Sequence, residues 1–109
     1  MERDPWRDLA HGLTLVLRPA AASDIEAARN YYEDARPGLR VALAEDLDRL
    51  FARLEAFPRS APVVEGYPDV RGAPLRRFPN AVSYRISDDD RIDVLRVIHR
   101  ARSPEGWPR

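Results

Sequence analysis

The chain of 109 residues contains no cysteine and no lysine, only two histidines, and no apolar run long enough to cross a membrane. Each absence excludes something. Without cysteine there are no disulfides, no thiolate metal sites and no cysteine nucleophile. With His11 and His99 as the only imidazoles and no carboxylate cluster beside them, a histidine-based metal centre is not expected. The opening Met1-Glu2-Arg3-Asp4-Pro5-Trp6-Arg7-Asp8 lacks the apolar stretch of a secretory signal, so a cytoplasmic protein without a membrane anchor is the expectation. At this length the chain is one domain that buries roughly two-thirds of its unfolded surface. With 44% hydrophobic and 33% charged residues it has the composition of a folded globular protein.

Because lysine is missing, all 18 basic residues are arginine, balanced by 18 acids. A guanidinium stays charged and pairs bidentately with phosphate or carboxylate, although a coding preference for arginine gives the same composition. The balance is uneven along the chain. Residues 1–69 hold nine arginines and thirteen acids, a net −4, and residues 70–109 hold nine arginines and five acids, a net +4. The C-terminal half is expected to offer a basic surface to an anionic partner.

Residues 1–12 read as a polar lead-in, followed by a single domain over 13–109. Leu13 to Arg18 predicts a short strand stopped by Pro19. Ser23 and Glu26 have the spacing of a capping box, which predicts a helix from about Asp24 to Ala35 with Ile25, Ala28, Tyr32 and Ala35 as its apolar stripe. Pro37-Gly38 breaks it. Leu43, Leu47, Leu50, Phe51 and Leu54 share one face of a second helix ended by Pro58, with Glu45 and Arg49 paired on the opposite side. Residues 58–69 read as a loop. Val70 to Phe78 predicts an edge or bulged strand because it contains Pro74. Val82, Tyr84 and Ile86 alternate with Ala81, Ser83 and Arg85 in the next strand. Arg91 to His99, apolar on both faces, reads as a central strand. The order is β-α-α-β-β-β, an α+β fold with a helical hairpin on a small antiparallel sheet.

Particular residues then carry a resemblance. Leu17-Arg18-Pro19, Asp24-Ile25, Tyr31-Tyr32-Glu33, Val70-Arg71, Arg77-Phe78-Pro79 and Val82-Ser83-Tyr84-Arg85-Ile86 resemble the toxins of the ParE/RelE family. So does Val94-Leu95-Arg96-Val97-Ile98-His99-Arg100-Ala101-Arg102-Ser103-Pro104 with Trp107. The resemblance spans about residues 13–109 and implies a bacterial toxin of a type II toxin–antitoxin system. Its cognate antitoxin would be of the ribbon-helix-helix type, and no cofactor is implied. Members of the RelE branch cut messenger RNA on the ribosome, whereas ParE members block DNA gyrase, an activity associated with plasmid stabilisation. Aligned on Tyr84, Gly72, Pro74 and Ala81 stand where the ribonuclease branch carries two lysines and an arginine. The resemblance therefore points to a gyrase-binding toxin without catalytic residues. The alternative is a ribosome-dependent endoribonuclease using Arg100, His99 and Trp107. A third reading is a family member that binds an antitoxin without toxicity.

Arg71, Arg76, Arg77, Arg100 and Arg102 are the candidate partner-binding residues, with a solvated sheet edge as the plainer account. His99 reads more simply as a residue packed at a strand end than as an acid or base. Asp88-Asp89-Asp90 lacks the glycine and distal glutamate of a calcium loop and reads as a solvated turn.

Overall fold

A computed structural model describes residues 14–87 and 90–100. The elements are β1 (Thr14–Leu17), α1 (Pro19–Ala35), α2 (Leu39–Ala56), β2 (Val63–Val64), β3 (Tyr67–Pro74), β4 (Asn80–Ser87) and β5 (Arg91–His99). Among the described residues no helix is long and apolar enough to cross a membrane. The lead-in 1–12, Arg102 and Trp107 lie outside the described residues.

Helix α1 starts a turn earlier than the capping-box reading predicts. Arg18 is the N-cap in extended conformation, makes no side-chain cap, and is followed by proline at the first helical position. Proline there gives up an N–H that a helix start leaves orphaned anyway, and its ring presets the helical φ. Ser23 consequently sits inside the helix and does not cap it. The hairpin turn is closed by Glu33, whose carboxylate accepts the N–H of Gly38 at 3.2 Å and of Arg40 at 3.1 Å. An anion at the first turn of α2 satisfies orphan donors and complements the helix dipole. Gly38, at φ +97°, caps that turn in the left-handed region.

Helix α2 buries Leu43, Leu47, Leu50 and Leu54, as its periodicity predicts, with Phe51 partly covered. They meet Ala73, Val82, Tyr84, Ile92, Val94 and Val97 of the sheet to form one core. Glu45 faces Arg77 at 3.8 Å, not its helical neighbour Arg49.

The sheet differs from the expected antiparallel arrangement. Its order is β1-β5-β4-β3-β2, and β1 runs parallel to β5, from Thr14 opposite Arg91 to Leu17 opposite Val94. Four residues, three of them apolar in a row, carry no signal of direction, so the mixed sheet was not legible. Residues 58–69 also contribute a strand, because β2 returns through Gly66 (φ +87°) onto β3. Strand β3 ends at Pro74, short of the predicted Phe78. The following turn is closed by the N–H of Leu75 to the Asn80 carbonyl at 2.8 Å. Strands β4 and β5 shift register between Ser83 and Tyr84, leaving Leu95 without a direct partner. This bulge returns Val97 to the core side after Ile92 and Val94.

Candidate functional site

Residues directly opposite in a ladder share a face of the sheet. Ala73 opposite Val82 and Tyr84 opposite Val94 point to the helices. Gly72 opposite Ser83 and Pro74 opposite Ala81 therefore lie together on the other face. The three positions picked out in the sequence are thus neighbours in space, and none has a side chain that can move a proton or meet phosphate charge. Tyr84 is on the helix side, fully buried, with its hydroxyl donating to the Pro58 carbonyl at 2.6 Å. Burial pushes its pKa up, opposed by the nearby guanidiniums of Arg71 and Arg53.

The candidate arginines fall into two places. Arg76 and Arg77 are exposed in the β3–β4 turn, which the buried Asp46 fastens by accepting the Arg77 N–H at 2.7 Å. Arg100 directly follows β5 and is tied to the same turn by its N–H to the Pro79 carbonyl at 2.8 Å. Those three cluster at one end of the sheet. Arg71 lies towards the other end, and its Nη1 donates to the carbonyl of Ala61 at 2.7 Å.

Beside the Arg100 end, a groove of about 360 Å³ opens between α1 and the C-terminal half of β5. It exists because β1 pairs with β5 only as far as Val94, where Arg18 donates to the Val94 carbonyl before the chain turns into α1. Beyond that point, Asp24 of α1 takes the place of a strand. Its carboxylate accepts the Val97 N–H at 2.9 Å and a two-pronged contact from Arg96 at 2.7 and 2.9 Å. That contact raises the pKa of Arg96. Further along, Ala27, Ala28, Tyr31, Ile98 and His99 line the groove. Tyr31 is 63% exposed and stacks edge-on against Tyr32. Tyr32 in turn packs on Phe78 and donates its hydroxyl to Asn80 at 2.7 Å.

Sequence reading missed Asp24, Asp46 and Asn80 as organisers. The capping box drew attention to Ser23, and the partners of Asp24 are more than seventy residues away. A polar residue on an otherwise apolar helix face, as Asp46 is among Leu43, Leu47 and Leu50, was the one available signal. At the far end of β5, Asp93 is buried, with its pKa held low by the Ser87 hydroxyl at 2.6 Å and by Arg91. No group of three or more acids and histidines converges as a metal site among the described residues.

Comparison with known proteins follows the same lines. A family model described as ParE toxin of type II toxin–antitoxin system, parDE, matches residues 15–104. No curated protein matches the chain. Among solved structures, the chain resembles one from the chromosomal ParDE toxin–antitoxin system of P. aeruginosa. The TM-score is 0.70 at 23% identity, covering 82% of this chain and 97% of the other. It also resembles one from the RelBE2 toxin–antitoxin complex of Mycobacterium tuberculosis. There the TM-score is 0.54 at 23% identity, covering 82% and 99%. Two helices on a five-stranded mixed sheet are the fold these structures share with it. The chain belongs to the ParE family of toxins of type II toxin–antitoxin systems.

Proposed function

We propose that this toxin acts by binding DNA gyrase, does not cut messenger RNA, and is neutralised by a cognate antitoxin of the ribbon-helix-helix type. The observation that carries the reading is the side-chain content of the face holding Gly72, Pro74 and Ala81. Cleavage at a 2′-hydroxyl needs groups to accept a proton, to offset phosphorane charge and to protonate the leaving oxygen. General acid–base help is typically worth about 10²–10⁴-fold, so the lack of such groups at these three positions is expected to leave cleavage near background. Tyr84, on the same strand as Ala81, is turned to the core.

The antitoxin's C-terminal segment fits the groove between α1 and β5. An extended segment there would lie along the part of β5 that β1 does not pair with, past the contact of Asp24 with Val97. Its acidic side chains would meet Arg76, Arg77 and Arg100. Co-expression with the neighbouring reading frame should yield a complex that survives gel filtration. Separate peaks at micromolar concentration would remove the antitoxin reading.

The target is tested with the purified protein in two assays run at the same concentrations. Loss of gyrase supercoiling without cuts in ribosome-bound message is the expected result. Codon-phased cuts by primer extension that vanish in Arg100→Ala would replace the gyrase reading with the ribonuclease one.

A further inference from the structure

At the end of the sheet remote from Arg100, four arginines from four stretches of chain surround one open cleft of about 640 Å³. Arg59 comes from the loop after α2, Arg71 from β3, Arg85 from β4 and Arg91 from β5. The cleft arises because pairing between β3 and β4 stops at Arg71 opposite Tyr84, after which β3 turns to β2. Its lining carries four arginines and one acid, Asp69, a net +3 that falls to +2 when Asp93, the partner of Arg91, is counted. Arg91 is paired with Asp93 at 3.0 Å, but neither Arg59 nor Arg85 has an acidic partner within 4.0 Å among the described residues. Arg71 spends Nη1 on the Ala61 carbonyl and retains further N–H donors.

We infer that this cleft binds a compact polyphosphate, of the kind carried by a nucleoside triphosphate or by inorganic polyphosphate. Four arginines around one mouth suit a small ligand of high charge, since a guanidinium fork can take two oxygens. An extended phosphodiester backbone fits less well. The lining itself includes the exposed acid Asp69. Its charge repels a phosphate chain laid across the mouth and on past it. The inference does not rest on the antitoxin or gyrase readings, and Arg59 and Arg85 belong to neither.

The test is calorimetric titration of the purified full chain with inorganic tripolyphosphate, with ATP and with a short DNA duplex, at low ionic strength. Tripolyphosphate should bind saturably at one site per chain. Arg85→Gln and Arg59→Gln should each weaken it about tenfold, the cost of losing a charge-assisted contact. Arg36→Gln, in the exposed turn between the helices, should leave binding unchanged. Thermal melts establish that each variant is folded, and the loop position of Arg59 supplies a clean result should Arg85→Gln perturb β4. ATP bound as tightly as tripolyphosphate means the phosphate chain alone is read, and tighter binding of ATP assigns the nucleotide; both support the inference. It is overturned by no saturable binding of either anion, by equal weakening in Arg36→Gln, or by duplex binding without tripolyphosphate binding.

Discussion

Replacing Asp24 by alanine tests whether one carboxylate substitutes for a strand along β5. Three hydrogen bonds end on it, two from Arg96 and one from the Val97 backbone. The side chains of Asp24 and Arg96 are 18% and 27% exposed, so the ion pair is partly screened and contributes about 1 kcal/mol. The Val97 N–H is the larger matter, since Val97 is 5% exposed and an orphaned buried donor costs about 1–3 kcal/mol. Together the loss should be about 3 kcal/mol, or roughly 10–20 °C in melting temperature for a domain of this size. Asp24→Asn keeps one acceptor oxygen and the side-chain volume, so it should lose about half as much. Urea unfolding followed by far-ultraviolet circular dichroism measures both, and a cycle with Arg96→Ala isolates the pair. A loss below about 0.5 kcal/mol in Asp24→Ala, the level of an ordinary surface change, would refute the strand-substitute argument.

Leu50→Ala, in the buried row of α2, should cost about 2–5 kcal/mol in the same unfolding assay; a surface-like value would place the wrong face inward. Tyr84→Phe leaves the Pro58 carbonyl without its donor and should cost about 1–3 kcal/mol, with no change in secondary structure by circular dichroism. Asp93 has a depressed folded pKa, so its contribution is present above the unfolded carboxylate value of about 3.9 and disappears as pH falls through the lower folded value. Asp93→Asn should therefore be less stable than the parent at pH 7, with the gap closing in acid, and a gap independent of pH would contradict that linkage.

How much of this was legible follows from the range of each interaction. The leucine row of α2, the alternation of β4 and the two-sided character of β5 are local patterns, and the structure keeps them. The start of α1 was misread because two valid local signals competed. Proline followed by three alanines nucleated the helix ahead of the Ser23–Glu26 spacing. Strand direction, the short β2 and the bulge at Leu95 are set by pairing between distant segments, for which a single sequence has no code. The arginine set was half legible. Arg76, Arg77 and Arg100 meet because the Asp46 and Pro79 hydrogen bonds draw one turn together. Arg71, grouped with them as part of the basic C-terminal half, lies towards the other end of the sheet.

The alternation of a strand also explains how one fold can hold both activities known among such toxins. Ala73, Val82 and Tyr84 turn to the helices and belong to the core, while Gly72, Pro74 and Ala81 turn away from them. The two sets interleave residue by residue, yet a change in one leaves the contacts of the other in place. The leucine row of α2 packs on the inner set and makes its core contacts there. Sequence similarity along β3 and β4 therefore reports the core, and the activity must be read from every second residue. In this chain that outer set reads glycine, proline and alanine, while Arg76, Arg77, Arg85 and Arg91 lie exposed towards the two ends of the sheet.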